Sequence, residues 1–490
     1  MKKITRLLTA LLALLLVGLL VACDKAPSAD EPVEIMFTYY LNGTVPADLE
    51  KVQAAINIIT EREIGVKVKL NPLSSGTYKD QINLALASGE RLDVFAMNGS
   101  RFASYVSSGQ ILPLNDLLES HGQGILENVS QPLLDGCSVN GEVYGIMPVR
   151  DIAQGGALYI RKDYVDKYNL DLSQIKSFQD VGNILSVIKA EEPNMYPLVI
   201  ENNLNYTPVE VCLGKDNVSD SFGVLMYEGD PYSIVDYYSS DIYREYITTL
   251  REWFLAGYIS PDVVTNTESI STQMKAGNGV CYFYKTKTGM DVQESKANNC
   301  EMVHVDILEP FISTYNVQLL SYGIAQQCEH PEEAMMFLNM LYTNKDVLNL
   351  LNWGIEGTHY VHTEDGHITY PEGVDATTSS YNVNMSWAFG YTFNNHIWEG
   401  NDLDLVEDSK AALANAKSSE TLGFTYDSSA VKAEVAALQN VVAEYRMGLE
   451  SGFMDISNLD KFIEKLQEAG IDTVVAEKQR QLSAWVESQK

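Results

Sequence analysis

One short segment of this 490-residue chain has a cluster of residue types that could bind a metal. Three histidines and two carboxylates cluster there, at His359, His362, Glu364, Asp365 and His367. Their spacing differs from the H-E-x-x-H pattern of zinc proteases, and Asp365-Gly366 is typical of a hairpin turn, so we expect a solvated loop without a metal. The sequence also has no G-x-S-x-G motif and no Walker A loop, which leaves esterase and nucleotidase activities without support. We expect no catalytic residue and no cofactor.

The chain is strongly acidic, with 34 Lys and Arg against 66 Asp and Glu and a formal net charge of −32. This excess argues against a nucleic-acid-binding protein and would repel anionic lipid headgroups. It favours neutral or cationic small molecules, or proteins, as partners. With 46% hydrophobic residues, the composition suits packed cores in two or three lobes. The many carboxylates leave a glycoside hydrolase open, because that chemistry needs only two of them flanking one bond.

The N-terminus has the order of an export signal. Basic residues precede an apolar run over 7–22, which is too short to span a membrane comfortably. The segment Leu20-Val21-Ala22-Cys23 resembles a bacterial lipobox, which implies cleavage before Cys23 and a lipid on its sulfur. We therefore expect a lipoprotein signal peptide over 1–22 and a tether over 23–32. The mature chain would then be anchored on the extracytoplasmic face of the bacterial cytoplasmic membrane.

Strands and helices alternate along the first part of the chain. Residues 34–40 are rich in β-forming types, and apolar residues follow at helical spacing from Leu49 to Ile59. The pattern repeats as far as a short buried strand at 94–97, and a repeated β-α-β order predicts a parallel sheet. The turn signal Asn140-Gly141 precedes a mixed region that begins near Pro148. The sequence thus predicts an α/β fold with more than one lobe.

Seven segments of the chain resemble, in the same order, the family 1 type of extracellular solute-binding proteins of ABC importers. Two examples are ASGERLDVF at 87–95 and NGEVYGIMP at 140–148. The later segments are similar to a lipoprotein subgroup assigned mainly to oligosaccharide uptake. All seven lie at 78–95, 109–114, 140–148, 159–163, 330–342, 353–360 and 477–482.

The resemblance implies a two-lobe periplasmic-binding-protein-like fold of type II, with the ligand cleft between lobes joined by hinge strands. Hinge crossings are then expected near Pro148, Cys300 and Lys345. The N-terminal lobe would comprise 33–148 plus 301–345, and the C-terminal lobe 149–300 plus 346–490.

In function, the resemblance implies binding without chemistry. A monomeric, lipid-anchored receptor would capture a sugar or oligosaccharide and deliver it to ABC permease subunits in the membrane, with no role for nucleic acid. A surface-anchored glycoside hydrolase and the ligand-binding subunit of a sensor are the alternatives. The net charge makes an acidic glycan a poor ligand unless Arg101 and Arg150 neutralise it locally.

The expected ligand also indicates which residues should bind it. A sugar offers hydroxyl groups and flat C–H faces, so its site needs aromatic planes and hydrogen-bonding side chains near the carboxyl ends of strands. Each aromatic could instead pack inside a lobe. Tyr39 and Tyr40 are adjacent in a strand, so at most one of them can face a ligand. The predicted ligand-binding residues are Tyr39, Tyr40, Asn98, Arg101, Arg150, Asp151, Trp387 and Tyr391.

Five cysteines follow Cys23, at positions 137, 212, 281, 300 and 328. Because the number is odd, at least one of them must be unpaired. Buried free thiols are the favoured interpretation, and a disulfide between Cys281 and Cys300 is the alternative.

Overall fold

The computed structural model describes residues 32–383 and 385–489. The predicted signal peptide over 1–22, Cys23 and nearly all of the tether lie outside these residues. Within them, no helix has the length and apolar character needed to cross a membrane. The described residues form two α/β lobes, each with its own sheet and hydrophobic core.

The strands of the described residues form two four-stranded sheets and three two-stranded pairs. In chain order they are β1 (Val33–Leu41), β2 (Val66–Ser74), β3 (Val94–Met97), β4 (Ser138–Val139), β5 (Glu142–Val143), β6 (Gln154–Arg161), β7 (Lys215–Asp216), β8 (Leu225–Met226), β9 (Cys281–Thr286), β10 (Met302–Ile312), β11 (Ser321–Ile324), β12 (Val361–His362), β13 (Ile368–Thr369) and β14 (Lys417–Ser418).

Helices cover the sheets and make up most of the C-terminal region. In chain order they are α1 (Leu49–Ile64), α2 (Ser75–Ser88), α3 (Gly99–Ser107), α4 (Asn115–His121), α5 (Gln123–Asn128), α6 (Gln131–Gly136), α7 (Lys162–Tyr168), α8 (Val181–Glu191), α9 (Pro208–Cys212), α10 (Asp241–Leu255), α11 (Ile270–Lys275), α12 (Met290–Asn298), α13 (Thr314–Gln318), α14 (Pro331–Thr343), α15 (Lys345–Trp353), α16 (Leu405–Asn415), α17 (Lys432–Glu450), α18 (Ser457–Glu468) and α19 (Ile471–Ser488).

The first sheet has the strand order β11-β3-β1-β2 and forms the centre of the N-terminal lobe. β1 pairs in parallel with β2 and with β3, so the predicted parallel β-α-β arrangement is confirmed there. β11 closes the sheet as an antiparallel neighbour of β3. The alternation in β2 explains its orientation, because Val66, Val68 and Leu70 are buried while Lys67 and Lys69 face solvent.

The second sheet has the order β14-β10-β6-β9 and forms the centre of the C-terminal lobe. β6 is antiparallel to both β9 and β10, and β14 runs parallel to β10. Gly156 in β6 allows α9 to lie close to this sheet, since a Cβ at that position would collide with the carbonyl of Val211. Helices α17, α18 and α19 complete the same core with Leu438, Phe462 and Leu482.

The lobe boundaries differ from the sequence-based expectation in two places. The sequence places residues 346–390 in the C-terminal lobe, but Leu348, Leu351 and Phe389 are buried in the N-terminal core. The sequence places β10 in the N-terminal lobe, but it is a neighbour of β6 in the second sheet. Both differences arise because a segment's lobe depends on long-range packing partners, which local hydrophobic spacing does not specify.

Three segments connect the lobes. The first, at 149–153, leads from the N-terminal core into β6, close to the crossing expected near Pro148. The second, at 313–320, leads from β10 back to β11, and the third, at 399–416, leads to β14. These two lie later in the chain than the positions expected near Cys300 and Lys345.

All five described cysteines are free thiols. Cys137, Cys212, Cys281 and Cys328 are buried, and Cys300 is half-buried. The alternative disulfide between Cys281 and Cys300 is therefore not formed.

Candidate ligand-binding cleft

Two adjoining cavities lie between the lobes and form one cleft. Their volumes are about 220 Å³ and about 540 Å³. The C-terminal lobe contributes the turn after β9 and the side of α12, and the N-terminal lobe contributes the end of α15 and the loop at 385–390. The residues that line both cavities are Lys287, Gln293, Trp353, Ser386, Trp387, Trp398 and Asn401.

Three of the five tryptophans of the chain surround this cleft. Trp353 is the last residue of α15, which ends there because Gly354 has a φ of +83°. The Trp398 ring centroid lies 5.3 Å from that of Trp353 and 4.6 Å from that of Tyr370. The group provides neighbouring aromatic surfaces against which flat apolar faces of a ligand can stack.

Trp387 joins the cleft to the end of β1. The guanidinium carbon of Arg150 lies 5.5 Å from the Trp387 ring centroid, and the Tyr40 ring lies 6.4 Å from the same indole. Burial raises the pKa of Tyr40 to about 12, although the positive charge of Arg150 acts in the opposite direction. Asp151 is buried, and its Oδ2 accepts a hydrogen bond of 2.9 Å from the backbone N–H of Thr288.

The structure therefore brings together four of the eight residues predicted for the ligand site: Tyr40, Arg150, Asp151 and Trp387. Tyr39 lies elsewhere, in the N-terminal core, where its ring is 5.2 Å from Phe389. Strand alternation sends it to the opposite side of β1 from Tyr40, as expected for adjacent residues.

The other three predicted residues lie away from the two cavities. Tyr391 packs against Phe393, with 5.3 Å between ring centroids, and lines a separate cavity of about 400 Å³. Asn98 is exposed, and its carbonyl accepts a hydrogen bond from the backbone N–H of Arg101. The Arg101 guanidinium donates to Oδ1 of Asn83 at 2.7 Å, which holds it against α2.

Two buried polar atoms beside the cleft lack a protein hydrogen-bond partner. They are the indole N–H of Trp353 and the side-chain carbonyl oxygen of Asn352. The amide nitrogen of Asn352 is occupied, because it donates to Asn395 at 2.7 Å. This donor and this acceptor could each form a hydrogen bond with a ligand hydroxyl group or with an ordered water molecule.

The electrostatics of the cleft are set by cations. Burial lowers the pKa of Arg150 and of Lys287, and the positive charge of Arg150 acts in the same direction on Lys287. The side chain of Lys287 reaches into the open space of the cleft. Asp151 is the one carboxylate among the residues that line either cavity in the described chain.

The histidine-rich segment at 359–367 has a structural role. β12 and β13 form the predicted hairpin around Asp365-Gly366. The expectation of a solvated loop is wrong for His359 and His367, which are both buried. His359 accepts the Ile355 N–H at Nδ1 and faces Asp48 Oδ2 at 3.2 Å through Nε2. Among the described residues, no group of three or more His, Cys, Asp or Glu side chains is arranged to hold a metal ion.

Sequence reasoning missed Trp353, Trp398, Lys287 and Gln293 as residues of the cleft. Trp353 lies within a recognised family segment, and its place just before a glycine at a helix end was the available signal. No local sequence signal marks Lys287 or Trp398 as cleft residues. They lie far apart in the chain and come together only through the packing of the two lobes.

The chain matches two family models and several known proteins. The model described as "Bacterial extracellular solute-binding protein" matches residues 45–347. The chain belongs to this family. A second model, described as a domain of unknown function, matches residues 420–487 of the solute-binding protein. The family assignment confirms the predicted resemblance. The family's description names its members as extracellular, which agrees with the expected location outside the cytoplasm.

Individual relatives match nearly the whole solute-binding protein. A "Carbohydrate ABC transporter substrate-binding protein" of Streptococcus pneumoniae is 26% identical over 482 residues, which cover 95% of this chain and 93% of the relative. The crystal structure of an N-glycan transport solute-binding protein, NgtS, from Streptococcus pneumoniae has a TM-score of 0.81 at 23% identity and covers 94% of this chain and 100% of that one. Its complex with Man5GlcNAc has a TM-score of 0.70 at 23% identity, with coverages of 94% and 99%. The predicted two-lobe, type II binding-protein fold is thereby confirmed.

Proposed function

We propose that this solute-binding protein captures an oligosaccharide in the cleft lined by Trp353, Trp387 and Trp398 and delivers it to the permease of an ABC importer. The observation that carries the proposal is the convergence of these three indoles, from separate parts of the chain, on one cleft between two lobes. Sugar rings present C–H faces that stack on aromatic planes and hydroxyl groups that pair with polar side chains.

The names of the relatives support the same class of ligand. One relative is named as a carbohydrate transporter component, and the compared structure includes a complex with a mannose-containing glycan. Tyr40, Arg150, Asp151 and Lys287 supply the hydrogen-bonding groups of the proposed site. Tyr39, Asn98, Arg101 and Tyr391, which we also predicted from the sequence, have no proposed ligand contact.

The lining of the cleft favours binding over hydrolysis. A glycoside hydrolase needs two carboxyl groups about 5–9.5 Å apart across the scissile bond. Asp151 is the one carboxylate that lines the two cavities within the described residues, and its Oδ2 is engaged by the backbone of Thr288. We therefore propose a receptor without catalytic activity.

The proposed receptor acts as a monomer anchored outside the cell through a lipid on Cys23. The lipobox-like segment Leu20-Val21-Ala22-Cys23 supports this anchor. Ligand binding would bring the lobes together about the crossings at 149–153, 313–320 and 399–416, because contacts from both lobes are complete only in the closed state. The closed form would then dock on the permease.

Thermal unfolding of the mature chain, residues 24–490, against a panel of oligosaccharides tests the proposal. Each sugar is also quantified before and after incubation. A ligand present at about 100 times its Kd should add about 2.7 kcal/mol to the stability of the folded state, which raises the melting temperature by a few degrees. The expected result is such a rise with the sugar intact.

Two outcomes would contradict the proposal. Consumption of the sugar would establish a hydrolase. Stabilisation by a panel sugar that persists unchanged in Trp387→Ala and Trp353→Ala variants would place binding outside the proposed cleft.

A further inference from the structure

Two cations, Arg150 and Lys287, line one cavity of the cleft, and Lys285 precedes Lys287 by two residues in the chain. Arg150 belongs to the first crossing segment, Lys285 is in β9, and Lys287 is in the turn after it. They are close enough for each lysine to experience the positive charge of Arg150. Asp151, the neighbour of Arg150 in the chain, lines the same cavity as Arg150 and Lys287.

Protein carboxylates do not neutralise this group. Within the described residues, none of the three cations takes part in an ion pair of 4.0 Å or less. Glu210 is the acidic side chain whose charge acts on Lys285. It already pairs with Lys215 at 2.9 Å and with Arg446 at 2.6 Å. Among the residues that line this cavity, Asp151 supplies one negative charge against the two positive charges of Arg150 and Lys287.

Arg150 is half-buried, and a charge that is partly removed from water without a partner is costly, so such groups are normally paired or held for a ligand. The contrast with the rest of the molecule is large, because the chain as a whole has a net charge of −32. A local positive potential inside an acidic protein attracts anions to the cleft and repels them elsewhere. Arg150 is additionally held in place by the Trp387 ring beneath it.

We propose that the oligosaccharide bound in this cleft is acidic, and that Arg150 and Lys287 bind its anionic group while the tryptophans stack on its sugar rings. This inference rests on the proposed function and narrows the ligand class. It also reverses the expectation from net charge alone, and Arg101, the other candidate for local neutralisation, has no part in it.

The test uses an array of matched glycan pairs that differ only in charge, screened with the mature chain. Three kinds of pair are included: galacturonic acid oligomers and their methyl esters, sialylated glycans and their methyl esters, and sulfated and desulfated keratan oligosaccharides, whose repeat contains no uronic acid. The pair with the strongest signal is then measured by isothermal titration calorimetry in low and high salt. We expect the acidic member to bind at least about tenfold more tightly, with a preference that shrinks as salt screens the charges.

Variants assign the preference to the proposed residues. In Arg150→Gln and Lys287→Gln, both members should lose affinity because a hydrogen-bonding group is changed, but the acidic member should lose about tenfold more than the neutral member. Arg62→Gln is the matched control, since it removes one positive charge from an exposed site on α1. Melting temperatures check that each variant is folded.

The outcomes separate the two proposals. A neutral glycan that binds as tightly as its acidic partner, or a preference unchanged in both Gln variants, overturns the acidic-ligand inference and leaves the proposed function standing. Absence of binding to every glycan of the array, acidic and neutral, counts against the proposed function and the inference together. Which acidic pair gives the signal distinguishes a carboxylate from a sulfate ester.

Discussion

The guanidinium of Arg150 lies over the indole of Trp387, with 5.5 Å between Cζ and the ring centroid. Arg150 is in the first segment that crosses between the lobes, and Trp387 is in a loop of the N-terminal lobe. The contact therefore couples the hinge region to the aromatic wall of the cleft. In the proposed binding mode, a ligand that contacts one of these side chains would act on the other through this contact.

Replacement of Trp387 by Ala should weaken oligosaccharide binding by about tenfold, because it removes a stacking surface and the ring that holds Arg150 in place. Binding can be followed through intrinsic fluorescence, since three of the five tryptophans surround the cleft. Trp485→Ala is the matched control: Trp485 is also half-buried, but it lines a different cavity, with Tyr232 and Gly423. Equal loss of affinity in both variants would argue against a specific role for Trp387.

The fold could be predicted from the sequence where local pattern decides it. The β-forming residues of β1 and the alternation of buried and exposed residues in β2, with the amphipathic α1 between them, specify a parallel unit. Tyr39 and Tyr40 point to opposite sides of β1, as adjacent strand residues must. Residues 346–390 were misplaced because an apolar helix face can pack on either lobe. Their partners in the N-terminal core lie far away in the chain.

The candidate site was predictable only in part, for a related physical reason. Tyr40, Arg150 and Asp151 follow the end of a strand or mark a crossing, which are positions that topology directs toward a cleft. Trp353 and Lys287 are brought to the same cavity by the packing of α15 and by the turn after β9. That convergence depends on the relative placement of two lobes, and no short sequence pattern encodes it.

A thiol titration separates the free cysteines from the alternative disulfide. In the chain from residue 24, unfolded in denaturant without reductant, all five thiols should react with a chromogenic disulfide reagent. Under native conditions at most Cys300 should react, and slowly, because burial raises its pKa. A count of three in denaturant would reveal one disulfide and contradict the structure.

Asp48 should make stability depend on pH in the acidic range. Its carboxylate accepts hydrogen bonds from Lys51, Ser380 and His359, which lowers its pKa to about 2. A lowered pKa means that the folded state favours the ionised carboxylate. The stabilisation is therefore complete above the ordinary pKa of about 4 and is lost as the pH falls from there toward 2.

The Asp48→Asn variant tests this contribution. It should be less stable than the wild type in urea unfolding at pH 7, and the difference should narrow as the pH is lowered below about 4. Asp80→Asn, on the exposed side of α2, is the control and should show no comparable difference. A gap between wild type and Asp48→Asn that stays constant from pH 7 to pH 3 would contradict the assignment.

Lys478 anchors the C-terminal helix α19 from within the protein. Its side chain is fully buried, and Nζ donates to Asp220 Oδ1 at 2.6 Å and to the Gly223 carbonyl at 2.8 Å. Replacement by Met keeps the apolar stem but removes the positive partner of the Asp220 carboxylate and the donor to the Gly223 carbonyl, so we expect a loss of about 3 kcal/mol in the free energy of unfolding. Lys461→Met, at an exposed position of α18, should change it by less than about 0.5 kcal/mol. Lys478 belongs to α19 and does not line the cleft. The folded Lys478→Met protein should therefore bind oligosaccharide with the same affinity as the wild type. An altered affinity would show that α19 is coupled to the ligand site.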